Sequence, residues 1–317
     1  MPVQHLSSRI KPQALRPGDT VGIVAPASSF NRDEFETGCA ALRDMGYRPV
    51  YDDSIFAHDL YFAGPDERRA RELEAMFARD DVKAILCVRG GYGSNYLLPR
   101  LNLDKIAAGP KIFVGCSDLT SLLTHFCDAG RFVTFHGPMV AKDIGRPDRF
   151  DLPSWHNALG GALNWQIAFD ADSGVQPLVQ GSAEGVLYGG CLSMLVASLG
   201  TPYEILTDGT ILFIEDVGTK PYQIDRMLMH LKLAGKLTGV RGMIFGEMLD
   251  CAFANNRDTL QEVVMRIVGD LRVPVAYGLR SGHVSRQNIT LPLGVNGRLN
   301  IDGAGGSLEI LEPATRT

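Results

Sequence analysis

The chain is poor in the residues and patterns that announce most site chemistries. Its six cysteines, Cys39, Cys87, Cys116, Cys127, Cys191 and Cys251, are scattered. No two form a CxxC pair and none stands beside a histidine at zinc-ligand spacing, so neither a disulfide framework nor a metal site is expected. Positive charge is also short. Against 36 acidic residues there are 31 Lys and Arg, a net charge of −5, which removes the electrostatic case for nucleic acid or an anionic membrane surface. No apolar stretch reaches membrane-spanning length and the first ten residues lack an apolar signal segment, so a cytoplasmic location is expected. The glycine-rich run Arg89-Gly90-Gly91-Tyr92-Gly93 has neither the GxGxxG spacing nor a Gly-Lys-Ser/Thr ending, and therefore fails as a phosphate cradle. No cofactor is implied, and small-molecule or peptide partners remain.

What is present is an alternation of short apolar runs and amphipathic stretches. Strands are expected over 20–26, 47–51, 84–88 and 112–114, with helices over 32–45 and 66–77 and a helix starting near residue 95. This βα repetition predicts a mostly parallel sheet covered by helices. In such sheets sites form beyond the carboxyl ends of the strands. The turns at Ala25-Pro26-Ala27-Ser28, Arg89 to Gly93 and Gly115-Cys116-Ser117-Asp118 should therefore lie on one edge. Glycine, proline and aspartate interrupt the pattern between 146 and 184, which predicts a connecting segment that holds both tryptophans, Trp155 and Trp165. A tryptophan in a linker either stacks on a ligand or, more commonly, tacks the linker to a domain. Strand and helix then alternate again from 185 to 268, and short β segments with glycine turns close the chain.

Ile112-Phe113-Val114-Gly115-Cys116-Ser117-Asp118 carries the most chemistry. An apolar strand ends in a small residue and a serine where a helix can begin, which is how a nucleophile is presented. The hydrolase elbow has glycine two residues before and two after its serine; Gly115 fills the first place and Leu119 the second. Taken alone, a helix cap is the blander reading of Ser117. Cys116 is a rival nucleophile, although packing into the core suits it better. Glu215 and Asp216 end the apolar run 211–214, and strand alternation turns only one of them to a given site. Among seven histidines, His283 lies on a loop between two strand-like runs, in Ser281-Gly282-His283, whereas His5, His58 and His156 read as structural or exposed.

Together with Arg89-Gly90-Gly91-Tyr92-Gly93, Tyr222-Gln223-Ile224-Asp225-Arg226, Gly189-Gly190-Cys191-Leu192-Ser193 and Asn288-Ile289-Thr290-Leu291-Pro292-Leu293-Gly294, this set resembles the LD-carboxypeptidase family of serine peptidases, which also contains the microcin-immunity hydrolases. The resemblance implies an N-terminal Rossmann-like parallel-sheet domain (1–145) carrying Ser117 and a C-terminal mixed α/β domain (185–317) carrying Glu215 and His283, with the active site at their interface. It makes Ser117 the nucleophile, His283 its general base and Glu215 the carboxylate that orients the imidazole. The backbone N–H groups of Gly91 and Asp118 are the expected oxyanion donors. Arg89 and Ser94 are candidates for the substrate's terminal carboxylate.

The family usually has asparagine where this chain has Cys191 and an aromatic where it has Cys116. Those two departures bear on substrate contacts more than on the triad. The implied activity is release of the terminal D-alanine from murein tetrapeptide in cytoplasmic peptidoglycan recycling, by a homodimer. The alternatives are cleavage of peptidyl or aminoacyl nucleotide conjugates, for which a stacking tryptophan is the only hint, and an inactive ligand-binding protein on the same scaffold.

Overall fold

The computed structural model describes residues 9–252, 258–303 and 305–317. In its first half β1 (Thr20–Val24), α1 (Arg32–Asp44), β2 (Arg48–Val50), α2 (Asp66–Ala78), β3 (Val82–Cys87), α3 (Leu103–Ala108), β4 (Ile112–Gly115), α4 (Thr120–Asp128) and β5 (Thr134–His136) follow one another. β1, β3 and β4 are short, largely apolar runs with no room for a helix. All five residues of β1 and all four of β4 are buried, as expected for a parallel sheet covered on both faces. The helices carry the complementary pattern. On α1, Phe35, Cys39 and Leu42 form a buried stripe, and Asn31 caps the first turn by accepting the Glu34 N–H at 3.1 Å. Each such aromatic or aliphatic side chain taken from water contributes roughly 1.5–3 kcal/mol.

Residues 146–184 are not a bare connector. They contain α5 (Leu152–Gly160), β6 (Trp165–Phe169) and β7 (Gln176–Val179). β6 escapes a sequence reading because only its two end residues, Trp165 and Phe169, are buried, and five residues with exposed positions between them carry a weak alternation. The chain continues through β8 (Gly181–Cys191), α6 (Leu192–Ala197), β9 (Thr210–Glu215), α7 (Pro221–Leu233), β10 (Gly242–Gly246), α8 (Asp258–Val268), β11 (Val275–Leu279), β12 (Leu291–Leu293), β13 (Asn296–Ile301) and β14 (Gly306–Ile310). The helix expected from residue 95 is only a single tight turn, Ser94–Tyr96.

Two sheets result. The first has the order β12-β5-β4-β3-β1-β2, parallel except for β12. The second has the order β6-β14-β13-β8-β9-β10-β11-β7, with a parallel centre from β8 to β11 and antiparallel flanks. β12 comes from the C-terminal part of the chain and pairs with β5, Leu291 opposite His136. The sheets are thus stitched together by backbone hydrogen bonds beside the strand that precedes Ser117.

Candidate active site

The turn after β4 is strained where it matters. Cys116 is extended at φ −153° and Ser117 takes φ +63°, a left-handed conformation that costs a non-glycine residue on the order of 1–3 kcal/mol and persists only when its surroundings dictate it. Those surroundings are visible. The Leu119 N–H donates to the Cys116 carbonyl at 3.2 Å, and the Thr120 N–H reaches the carbonyls of Ser117 and Asp118. A side chain at Gly115 would come within 3.0 Å of Leu119 Cβ. A side chain at Gly115 would thus crowd Leu119, which packs against the glycine. Within residues 112–120, Ser117 alone is not buried. Cys116 faces the core at 1% exposure, and burial pushes its thiol well above the ordinary range. A thiol held in its neutral form is no competing nucleophile.

The three turns expected on one edge do meet. The Ser28 N–H donates to the Gly90 carbonyl at 3.2 Å and Ser28 Oγ accepts the Tyr92 N–H at 3.0 Å. A side chain at Gly90 would come within 2.8 Å of Ser117 Cβ, so the glycine run lies directly against the serine. Gly91 is exposed with φ +96°. Among the described residues no hydrogen bond engages the N–H of Gly91 or of Asp118.

Asp118 itself is buried, and burial raises its carboxyl pKa against the opposing hydrogen bonds from Ser94. Ser94, a candidate for the substrate's carboxylate, is fully buried; its N–H donates to Asp118 Oδ2 at 2.8 Å and its hydroxyl to the Asp118 carbonyl at 2.7 Å, so it ties the glycine run to the turn. Arg89 is exposed and donates to the Ser29 carbonyl at 3.3 Å.

Glu215 ends β9 with no exposed surface. An isolated carboxylate there would be costly, but His283 Nδ1 lies 2.7 Å from Oε2 and the His283 N–H donates to the same oxygen at 3.1 Å. Burial alone would raise the Glu215 pKa. Attraction to a protonated His283 and its hydrogen bond, with the neighbouring His136, outweigh that and hold the group well below the usual carboxylate range. An ionised carboxylate only accepts, so Nδ1 carries a proton, and the neutral form of the ring has its lone pair on Nε2, the arrangement a general base needs. Asp216 turns away. Oδ2 accepts the Ser193 N–H at 2.9 Å and hydroxyl at 2.7 Å, and Oδ1 accepts the Thr219 hydroxyl at 2.8 Å.

The loop after β11 is anchored as tightly. Asn288 Oδ1 accepts the Gly282 N–H at 2.9 Å, and its Nδ2 donates to the Gly282 carbonyl at 3.1 Å. A side chain at Gly282, φ +91°, would come within 2.7 Å of both Glu215 Cδ and His136 Cε1.

These pieces have known counterparts. The sequence pattern of the LD-carboxypeptidase N-terminal domain matches residues 21–137, and that of the C-terminal domain matches residues 184–299. A probable murein peptide carboxypeptidase of Bacillus subtilis is 38% identical over 299 residues, 93% of this chain and 92% of that one. The chain belongs to the LD-carboxypeptidase family. It is accordingly a serine peptidase. The microcin C7 self-immunity protein of Escherichia coli is 30% identical over 335 residues, covering 93% of this chain and 94% of that protein. The crystal structure of muramoyltetrapeptide carboxypeptidase from Oxalobacter formigenes superposes with a TM-score of 0.82 at 28% identity, covering 94% of this chain and all of the other.

Within this LD-carboxypeptidase, sequence reasoning passed over His136, Asn288 and Ser281. His136 had a signal, a histidine closing an apolar run before Gly137-Pro138. Trp155 proves to be a packing residue, and Trp165, largely buried, borders a pocket with Asp151 and Arg280. Trp155 is fully buried with Nε1 3.4 Å from the Tyr47 hydroxyl, and Trp165 is 8% exposed.

Proposed function

We propose that this protein is a serine carboxypeptidase that hydrolyses the L,D bond before the terminal D-alanine of murein tetrapeptide, in cytoplasmic peptidoglycan recycling. The observation that carries the reading is the buried 2.7 Å contact between Glu215 Oε2 and His283 Nδ1, taken with the left-handed Ser117 in the turn after β4. Ser117 Oγ attacks the scissile carbonyl carbon as its proton passes to His283 Nε2. The oxyanion is held by the Gly91 and Asp118 N–H groups, and Glu215 stabilises the imidazolium. Collapse breaks the C–N bond, His283 returns the proton to the leaving amine, and D-alanine departs. Water, activated by the same imidazole, then releases the tripeptide from Ser117. Arg89, exposed beside the glycine run, is the candidate partner for the substrate's carboxylate.

The relatives named for murein peptide carboxypeptidase support this substrate. Likeness to the self-immunity protein supports a nucleotide-conjugate substrate instead, although Trp155 is fully buried and cannot stack on a base. Purified protein should be incubated with tetrapeptides ending in D-alanine and in L-alanine and with an aminoacyl sulfamoyl adenylate, and the products weighed by mass spectrometry. Release of D-alanine alone is expected. Cleavage of the adenylate alone would transfer the function to the immunity type, and preference for the L-ended peptide would overturn the stereochemical assignment.

A further inference from the structure

Glu215 has a second oxygen, and the triad leaves it unused. Oε1 is buried without a hydrogen-bond partner, and so is His136 Nε2; the two lie 3.7 Å apart with neither side chain exposed. A buried donor and a buried acceptor left open are rare, and each calls for an explanation. The other ring nitrogen, His136 Nδ1, is 2.9 Å from the Ser281 hydroxyl. The hydroxyl can donate to Nδ1, which puts the ring proton on Nε2, facing the carboxylate. His136 also occupies the seam of the molecule. It is opposite Gly115, two residues before Ser117, on one side and opposite Leu291 of β12 on the other. Ser281, Gly282 and His283 thus wrap the carboxylate from three directions: Ser281 through His136 toward Oε1, Gly282 against Cδ, and His283 on Oε2.

From this geometry, and resting on the triad reading above, we infer that Ser281 and His136 form a positioning pair that fixes the rotation and charge of Glu215 through its second oxygen. The 3.7 Å gap is too long for a hydrogen bond. It closes to one when the imidazolium forms on the other oxygen, as catalytic hydrogen bonds that are loose in the free enzyme tighten in the reacting complex. The other titratable groups near Glu215 do not duplicate this role. Cys116 and Cys191 are thiols pushed up by burial, Cys251 is pushed up to about 12, and the Asp216 carboxylate is taken by Ser193 and Thr219.

The test uses His136→Leu, which removes both nitrogens, His136→Gln, which keeps an N–H donor on a side chain of similar reach, and Ser281→Ala. Tetrapeptide hydrolysis by the Leu and Ala variants should fall about tenfold in kcat, the lower end for one hydrogen bond to a charged group, with KM within twofold of wild type. The Gln variant should recover most of the loss. His136→Leu combined with Ser281→Ala should lose no more than His136→Leu alone, and His136→Leu added to Glu215→Gln should lose little further, because the effect runs through one carboxylate. The His283 ring, followed by NMR titration, should move to a higher pKa in His136→Leu, since Glu215 then shares its charge with His283 alone.

That titration needs no turnover. If wild-type protein hydrolyses no tetrapeptide, the proposed function falls and the NMR shift still decides the pairing. A normal His283 titration in folded His136→Leu overturns the inference, as does an undiminished His136→Leu penalty in the Glu215→Gln background.

Discussion

The two sides of the candidate site are built by different physics. On the N-terminal side Ser117 is placed by its own backbone: a four-residue buried strand, a glycine packed against Leu119, and a left-handed φ of +63° within three residues. On the C-terminal side Glu215 and His283 stand 68 positions apart and are placed by side chains, through two contacts on one carboxylate oxygen at 2.7 and 3.1 Å. The first side stores strain and needs little electrostatics. The second is relaxed and depends on a buried charge that only its partners make tolerable. A defect in the first should show as misplacement, and a defect in the second as a wrong protonation state.

Removing the reacting groups breaks the comparison most severely. Ser117→Ala or His283→Ala should lower kcat by a factor on the order of a million while the fold survives, with turnover and circular dichroism as the two readouts. Glu215→Gln keeps shape but removes the charge, and should cost roughly ten-thousandfold in kcat because the imidazole loses its orienting anion.

The two glycines that press on these sides sharpen the contrast. Gly282→Ala puts a methyl against Glu215 Cδ at 2.7 Å and on a φ of +91°. Loss of roughly a hundredfold in kcat/KM is expected, with about 1–3 kcal/mol of stability, measured by kinetics and urea unfolding. Gly90→Ala reaches Ser117 Cβ at 2.8 Å without a φ penalty. It should displace the nucleophile by a few tenths of an ångström and cost about tenfold in kcat. A larger loss from Gly90→Ala than from Gly282→Ala would show that the serine side is the softer of the two.

The smallest effect concerns the joint between the halves. Asp128 at the end of α4 accepts the Tyr188 hydroxyl of β8 and pairs with Arg9 at 3.4 Å. Burial, opposed by the Tyr188 hydrogen bond and Arg9, raises its pKa from 3.8 to about 6. The folded value lies above the unfolded one, so this group's stabilising contribution is complete below about pH 4 and is lost as pH rises through 6. Asp128→Asn should flatten that part of the stability profile by about 2 kcal/mol without changing kcat. Glu215, depressed in the folded state, acts oppositely: its contribution is present above the unfolded carboxyl range of about 4.3 and fades as pH falls. Denaturant unfolding at intervals from about pH 2 to 7 separates the two slopes.

Much of this molecule follows from local pattern. The strand ending at Gly115, the turn that lifts Ser117, the carboxylate closing β9 and the histidine loop after β11 are each written in a run of a few residues, because strand periodicity, buried apolar runs and the conformational needs of glycine act over that range. The likeness to the LD-carboxypeptidases rests on those same short runs. What the chain does between 146 and 184 was not legible, since edge strands with exposed residues signal weakly and acquire their identity only from β11 and β14 beside them. Tertiary structure alone decided that β12 leaves its own half to pair with β5, that Ser94 is buried on Asp118, and that His136 stands opposite the free oxygen of Glu215. Each of these depends on contacts between residues far apart in the chain. Such contacts are set by how two sheets settle against one another, a matter of packing and desolvation that no local run of sequence encodes.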